Sequence, residues 1–135
     1  MIAGELKDKI KALVLLAPAA VLKDDALNGV LMYRHYDPAN PPETLNVFFH
    51  RIGREYFLTA RTLPIYERSS LYEGPVFIAH GKKDKIVPFS YSEEYHRRYS
   101  NSELHLFENE NHLLPKCRKE IVGQCVEFLC DHLGA

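Results

Sequence analysis

The sequence predicts an α/β fold built on a parallel sheet, and three observations support this prediction. Residues 12–16 (ALVLL) and 75–80 (PVFIAH) are apolar on both faces, which is typical of strands buried inside a parallel sheet. Residues 118–133 repeat apolar side chains at helical intervals. The predicted order of elements is strand, insertion, strand, helix, strand, helix, and such alternation is that of α/β proteins.

The composition excludes several classes of protein. The chain has 135 residues, of which 46% are hydrophobic, so it can bury a core and is not a disordered segment. Seventeen basic residues against eighteen acidic ones leave no charge pattern for nucleic acid or an anionic membrane. No apolar run approaches the ~18 residues of a membrane span, and no signal peptide is recognised. Three cysteines near the C-terminus do not make a disulfide framework, so we expect a cytoplasmic protein.

The N-terminal residues predict a helix followed by a strand. Ile2, Leu6 and Ile10 recur at a spacing of four, which predicts that residues 2–10 are the end of a helix. No capping residue precedes them, as if the helix had lost its first turns. Residues 12–16 follow as the first buried strand, which ends before Pro18.

The segment between the two buried strands differs from them in composition. It is rich in proline and tyrosine and has short turns such as residues 37–40, with one helical stretch around residues 53–63. Irregular polypeptide between two clean strands indicates an inserted cap. We therefore expect three regions: residues 1–22 and 74–135 as the core, and residues 23–73 as the cap.

The C-terminal part predicts a regular strand–helix alternation. The strand at residues 75–80 ends at Gly81, and Tyr91, Tyr95 and Tyr99 give residues 90–99 a helical spacing. Residues 103–107 (ELHLF) alternate polar and apolar side chains, which predicts a half-exposed edge strand. The helix at residues 118–133 completes the pattern.

Two loops follow predicted strands and carry the candidate catalytic residues. Asp84 lies in the loop of residues 80–88, and His112 ends the acidic loop of residues 108–112. In an open parallel sheet, ligands bind at the carboxyl ends of the strands. An Asp that orients a His, which in turn takes a proton from a serine, is two thirds of a hydrolytic triad. Taken singly, Asp84 is a turn former and His112 a surface histidine, so their pairing carries the prediction.

These motifs resemble a known superfamily. The pattern HGxxDxxVP after a buried strand, followed by an acidic loop that ends in His before the last helix, resembles the C-terminal half of the α/β-hydrolases. Four segments are similar to the bacterial cinnamoyl (feruloyl) esterases: LLAPAAVLKDDALNG, YDPANPP, EYFLTARTLPIYE and NSELHLFENENH. The resemblance covers nearly the whole chain and implies the catalytic roles of Asp84 and His112.

The same resemblance implies two substrate-binding residues. In cinnamoyl esterases an Asp and a Tyr of the insertion hold the phenolic end of the acyl group, and the matching positions are Asp25 and Tyr56. A carboxylate accepts a hydrogen bond from a phenol, and a tyrosine hydroxyl can donate or accept one. The alternatives are that Asp25 caps a helix and that Tyr56 is a core residue. Residues 30–32 are apolar where the related esterases carry a polar amide, so preference for less hydroxylated acyl groups is expected.

The nucleophile has no match in the sequence. No serine stands in G-x-S-x-G, and no HGGG-like segment is present for an oxyanion hole. We therefore expect a fragment of a serine-type ester hydrolase that is inactive by itself, with the serine encoded in frame upstream of Met1. Truncation would also leave the edge of residues 12–16 unpaired and prone to aggregation. An acylglycerol lipase, a serine aminopeptidase-like hydrolase and a non-catalytic remnant or binding module are the alternatives.

The remaining polar residues predict no further site. His80 is interpreted as a structural residue at a strand end, and the other histidines lack the clustering that a metal needs. They are His35, His50, His96, His105 and His132. We expect no metal and no cofactor. The expected partner is a small-molecule ester bound by the full-length enzyme, with no nucleic acid and no membrane, and a homodimer is left open.

Overall fold

A computed structural model describes residues 1–134, which form two compact units. Unit 1 consists of Met1–Ala19 and the chain from Ile65 onward, and unit 2 is Ala20–Pro64. The elements in chain order are α1 (Ile2–Glu5), β1 (Leu13–Leu16), α2 (Leu22–Asn28), β2 (Val30–Leu31), β3 (Arg34–His35), β4 (Thr44–Val47), β5 (His50–Gly53), α3 (Arg54–Ala60), α4 (Ile65–Ser69), β6 (Val76–Gly81), α5 (Ser90–Arg98), β7 (Ser102–Phe107) and α6 (Arg118–Leu133).

Unit 1 is built on a parallel three-stranded sheet, as the sequence predicts. The strand order is β1–β6–β7, with Leu13 opposite Val76 and Val76 opposite Ser102. All six residues of β6 are buried, because β1 and β7 flank it in the sheet and helices α5 and α6 pack against it. The carboxyl ends of β6 and β7 therefore lie next to each other, and each leads directly into one of the two candidate loops.

The first strand is less buried than its apolar composition predicts. Three residues of β1 are half-buried, and Leu16 is 51% exposed. Within the described residues β1 pairs with β6 alone, so its other edge is open. A strand is buried on both faces only when neighbours and helices surround it. The prediction of a fully buried strand was wrong on this point.

The N-terminal helix is shorter than predicted. It ends at Glu5, and residues 6–9 form turns, in which the Lys9 N–H donates to the Leu6 carbonyl at 2.8 Å. Its buried residues are Ala3 and Gly4, whereas Ile2 and Leu6 are exposed. A Cβ on Gly4 would lie 1.8 Å from the Arg68 carbonyl oxygen, so α1 packs against α4 through its smallest residues. The apolar spacing therefore did not mark the buried face.

The predicted C-terminal helices and edge strand are present. Helix α5 and helix α6 begin and end within one residue of the expected bounds, and β7 is an edge strand of the described sheet. Helix α6 contributes Ile121 and Phe128 to a buried cluster with Phe77, Ala79 and Leu114. Leu114 lies two residues after His112. The cluster therefore joins the loop that carries His112 to the core around β6.

Unit 2 contains two short hairpins and two helices. Strands β2 and β3 pair antiparallel, as do β4 and β5. Phe57 on α3 is fully buried, and the rings of Tyr36 and Tyr56 lie 4.6 and 5.6 Å from its own. The sequence predicts an insertion at residues 23–73. In the structure, the stretch after Pro64, including α4, belongs to unit 1.

No helix among residues 1–134 has the length and apolar character required to cross a membrane.

Gly81 allows the two candidate loops to approach closely. A Cβ built on Gly81 would lie 2.4 Å from the Glu110 carbonyl oxygen and 2.7 Å from that of Asn111. We expect Gly81→Ala to lower the free energy of unfolding by about 1–3 kcal/mol, because backbone rather than a flexible side chain must move. Urea denaturation of the purified chain measures this.

Gly123→Ala is the matched control, since nothing lies within 4 Å of its added Cβ in α6. It should raise the free energy of unfolding by about 0.5–1 kcal/mol, the difference in helix propensity between the two residues. Equal effects of the two substitutions would contradict the close approach of the loops.

Candidate active site

The loop after β6 holds the Asp84 carboxylate through its own backbone. The Asp84 N–H donates to the Gly81 carbonyl at 3.1 Å, which closes a tight turn at the end of the strand. Oδ1 of Asp84 accepts the N–H groups of Ile86 and Val87 at 2.8 and 2.9 Å. Short Asp side chains form such local bonds readily, which explains why this residue type follows the Gly-Lys-Lys turn.

The loop after β7 is joined to the first loop by backbone and side-chain bonds. The Lys83 N–H donates to the Glu110 carbonyl at 2.8 Å, and the Lys83 ammonium donates to Asn109 at 2.7 Å. Lys82 forms an ion pair with Glu108. On the far side of His112, Leu114 is buried with a φ of 49°. A non-glycine residue in this region is strained, and its burial in the core holds it there.

The two loops bring the predicted catalytic residues into contact. Nδ1 of His112 lies 2.7 Å from Oδ2 of Asp84. The Asp84 side chain is fully buried, whereas that of His112 is 30% exposed. Because a carboxylate is an acceptor, the Nδ1 of His112 is the donor and carries the proton. Nε2 of His112 makes no hydrogen bond to any described residue, so in the neutral ring its lone pair is available.

The environment of Asp84 favours its ionised form. Burial by itself would raise the pKa of this carboxyl. The hydrogen bonds from the Val87 N–H, from His112 and from the Ile86 N–H outweigh burial and hold the pKa below its ordinary value. Asp84 is therefore a buried anion beside the His112 ring, where its negative charge stabilises a positive charge on that ring.

A second histidine, His80, also contacts Asp84. The sequence predicts only a structural role for His80 at the end of its strand. Nε2 of His80 lies 2.9 Å from Oδ2 of Asp84 and 2.9 Å from the Val87 carbonyl oxygen. Its Nδ1 lies 2.6 Å from the hydroxyl oxygen of Ser92 on α5. The motif HGxxDxxVP contains His80, Asp84 and Val87, but nothing in the sequence pairs Ser92 with them.

Ser92, His80 and Asp84 follow one another as in a catalytic triad, but the two ring nitrogens are exchanged and the burial of Ser92 excludes nucleophilic catalysis. Both Ser92 and His80 are fully buried. A serine nucleophile must reach the substrate carbonyl, and no substrate reaches this hydroxyl in the folded chain. Of the two imidazole rings that contact Oδ2 of Asp84, that of His112 is 30% exposed and that of His80 is fully buried.

Unit 2 brings the other two predicted residues close together. Burial raises the pKa of Tyr56, and the nearby negative charge of Asp25 raises it further. Burial and the neighbouring Asp24 likewise raise the pKa of Asp25. Neither the Asp25 carboxylate nor the Tyr56 hydroxyl makes a hydrogen bond to a described residue.

The alternative interpretation of Asp25 as a helix cap is wrong, because Asp25 lies inside α2 and its N–H bonds to the Val21 carbonyl. Tyr56 is half-buried rather than part of the core. It lines a mostly apolar hollow of about 280 Å³ with Leu22, Thr59 and Leu63 among its neighbours.

Within residues 1–134, no three His, Cys, Asp or Glu side chains are grouped so that they could hold a metal ion.

Comparison with solved structures identifies the fold. It is the α/β-hydrolase fold, and this chain forms a C-terminal half of it, as the sequence motifs predict. Est1E from Butyrivibrio proteoclasticus matches 98% of this chain with a TM-score of 0.91 and 28% identity, and the match spans 55% of Est1E. A second structure of Est1E, with ferulic acid bound, gives a TM-score of 0.92. The chain thus spans about half the length of these neighbours.

More distant structures share the fold alone. The α/β-hydrolase domain-containing protein 10 from mouse has a TM-score of 0.67 and 18% identity over 98% of this chain and 56% of its own. No protein-family model matches the chain, and no curated protein matches it.

Asp84 should contribute to stability in a pH-dependent way. In Asp84→Asn, the amide N–H₂ replaces an acceptor that faces two imidazole N–H groups, so the free energy of unfolding at pH 7 should fall by about 1–3 kcal/mol. Because the folded pKa lies below the ordinary value of 3.8, the contribution of Asp84 is complete above pH 3.8 and is lost as the pH falls through the folded pKa.

Urea denaturation at a series of pH values measures this contribution. The difference between the wild-type chain and Asp84→Asn should shrink on acidification below the ordinary pKa. Asp131→Asn is the control, since Asp131 is exposed on α6 and should have little effect at any pH. A difference that grows towards low pH would contradict the ionised state of Asp84.

Proposed function

We propose that Asp84 and His112 are the orienting acid and the general base of a serine-type carboxylic ester hydrolase. The observation that carries this proposal is the 2.7 Å bond between a buried carboxylate and an imidazole whose other nitrogen is unbonded. This is the arrangement of the two non-nucleophilic members of a hydrolytic triad.

In the proposed mechanism each residue has one role. Nε2 of His112 takes the proton of a serine hydroxyl as that oxygen attacks the ester carbonyl carbon, and Asp84 stabilises the imidazolium. His112 then gives the proton to the leaving alcohol, and an acyl-serine remains. Water, deprotonated by the same nitrogen, hydrolyses the acyl-serine and restores the serine hydroxyl. Asp84 stays ionised throughout.

The nucleophile of the proposed enzyme lies outside the 135 residues. The sequence has no G-x-S-x-G, and the serine that bonds to His80 is buried. A serine supplied by further polypeptide, on a turn that also offers backbone N–H groups to the oxyanion, would complete the site. The match to about half of Est1E supports this part of the proposal.

The proposed substrate is an ester of a hydroxycinnamic acid. Est1E, which is 28% identical to this chain, has been solved with ferulic acid bound. The juxtaposed Asp25 and Tyr56 offer an acceptor and a donor to a phenolic hydroxyl, beside an apolar hollow suited to an aromatic ring. The apolar stretch at residues 30–32 favours acyl groups with few further hydroxyls.

A non-catalytic binding module is the second candidate, and it is favoured because no serine hydroxyl among the described residues bonds to His112. It would retain ligand binding by unit 2 without hydrolysis. The two candidates differ in whether His112 acts on a serine when further polypeptide is joined to the chain.

The first test is activity with and without the missing segment. The 135-residue chain alone should not hydrolyse methyl ferulate above the rate without protein, because it has no nucleophile. The coding DNA before Met1 should contain an in-frame G-x-S-x-G, and the extended protein should hydrolyse the ester. In the extended protein, His112→Ala should lower kcat/KM by about 10⁴-fold or more.

His105→Ala is the matched control, because the His105 side chain on β7 is 31% exposed, close to the 30% of His112. It should leave kcat/KM within a factor of about 3, a difference of under 1 kcal/mol. An in-frame stop codon directly before Met1, with no serine motif behind it, would favour the binding module. Turnover by the chain alone that disappears in His112→Ala would require a different nucleophile.

The second test concerns the acyl group. Binding of ferulic acid to the ¹⁵N-labelled chain, followed by chemical shift changes, should weaken by about 5–30-fold in Asp25→Asn and Tyr56→Phe, which corresponds to loss of one hydrogen bond. Cinnamic acid lacks the phenol, so its binding should be the same in all variants. Tyr33→Phe, at an exposed tyrosine of unit 2, is the control. Equal losses for both acids would contradict the proposed phenol contact.

A further inference from the structure

The buried imidazole of His80 has no part in the mechanism above, yet both of its nitrogens are engaged. We propose that His80 is a positioning residue for Asp84: Ser92 keeps it in the Nε2–H tautomer, and it pins the carboxylate oxygen that His112 uses. This inference deepens the proposed function and rests on it for its catalytic meaning. Its structural content concerns the described residues alone.

The contacts of the ring determine which nitrogen carries the proton. Nε2 of His80 faces two acceptors, the Asp84 carboxylate and the Val87 carbonyl, both at 2.9 Å. An unprotonated Nε2 would place its lone pair against both of them, so this nitrogen must be the donor. In the neutral ring Nδ1 is then an acceptor, and the Ser92 hydroxyl, 2.6 Å away, donates to it.

Ser92 is suited to this task because it can donate and has no charge. It is fully buried on α5, so its hydroxyl has no water with which to exchange this bond. Burying an unpaired polar group is costly, which means that the Ser92 hydroxyl and His80 Nδ1 satisfy each other. Helix α5 is thereby linked through His80 to the loop that carries Asp84.

Four donors then surround the Asp84 carboxylate. Oδ1 accepts two backbone N–H groups, from Ile86 and Val87, and Oδ2 accepts two imidazole N–H groups, from His80 and His112. These four donors favour the ionised form, and rotation of the carboxylate about its Cβ–Cγ bond would break all four hydrogen bonds. The backbone donors fix only Oδ1, so His80 is the second donor that holds Oδ2 in place for His112.

This arrangement predicts that the proton taken up by His112 stays on His112. Hydrogen bonding to the charged form of a carboxyl favours that form. The side chains of titratable residues that face Asp84 are His80 and His112, while the neighbouring ammonium groups of Lys82 and Lys83 bond to Glu108 and Asn109. Removing the His80 donor should therefore make Asp84 easier to protonate.

The experiment is NMR on the full 135-residue chain, labelled with ¹⁵N in histidine and ¹³C in the aspartate carboxyl groups. Near pH 8 the His80 ring should show a protonated Nε2 and an unprotonated Nδ1, and His112 a protonated Nδ1. In Ser92→Ala, the His80 Nδ1 resonance should move towards that of an unbonded imidazole nitrogen. A protonated Nδ1 on His80 in the wild-type chain would overturn the proposal.

The role of His80 towards Asp84 is tested by the acid titration of the Asp84 carboxyl carbon. His80→Leu should move its midpoint to higher pH, by about tenfold in proton affinity, because one donor to the anion is lost. His80→Gln retains an N–H near the position of Nε2 and should restore much of the shift. Where unfolding precedes titration, the acid-unfolding midpoint takes the place of the carboxyl midpoint.

Val76→Ala is the matched structural control. Val76 is fully buried at the start of the same strand, whereas His80 and the Asp84 loop lie at its end. It should lower thermal stability without moving the Asp84 midpoint. Equal midpoints in His80→Leu and Val76→Ala would show that His80 only fills the core and would overturn the proposal.

If His80→Leu does not fold, the wild-type tautomer and the His80→Gln titration decide. The proposal would then be overturned if the Asp84 midpoint in His80→Gln rose by the full amount, about tenfold in proton affinity, that is expected when the donor is lost. None of these measurements requires turnover. Failure to find a serine segment with esterase activity would therefore refute the proposed function alone.

Discussion

The carboxylate of Asp84 joins the parts of unit 1 on which the candidate site depends. Its two oxygens accept hydrogen bonds from its own loop, from β6 through His80 and from the loop after β7 through His112. A buried charge is stable only when such partners compensate for its lost hydration. Displacing either loop would break some of these bonds and leave the charge less well compensated. The anion therefore stabilises the positions of the loops that hold it.

The parallel sheet makes this convergence possible. Strands β6 and β7 run side by side in the same direction, so the loops that follow them leave the sheet at neighbouring points. The absence of a side chain at Gly81 then lets the two loops meet backbone to backbone. Buried Leu114, two residues after His112, anchors the loop after β7 in the core. Backbone contact, core packing and the charge of Asp84 therefore act on the same few residues.

Unit 2 has a different construction, in which local hairpins and two short helices surround Phe57. Its polar pair, Asp25 and Tyr56, is partly buried and yet unbonded within the described residues. Groups of this kind carry an energetic cost when no ligand satisfies them. This unbonded pair beside an apolar hollow is the basis of the proposal that unit 2 binds an aromatic ligand that has a hydroxyl group.

The sequence by itself determined the parallel α/β core, the extent of α5 and α6, and the pairing of Asp84 with His112, because apolar periodicity and the position of a loop after a strand are local properties. The sequence does not predict the hairpins of unit 2. Met32 and Phe48 adopt a positive φ in the turns, where Gly or Asn is the usual residue. The buried face of α1 and the bond between Ser92 and His80 depend on which elements pack together. No periodicity encodes the meeting of a helix residue with a strand residue twelve positions earlier, so only the tertiary structure decided it.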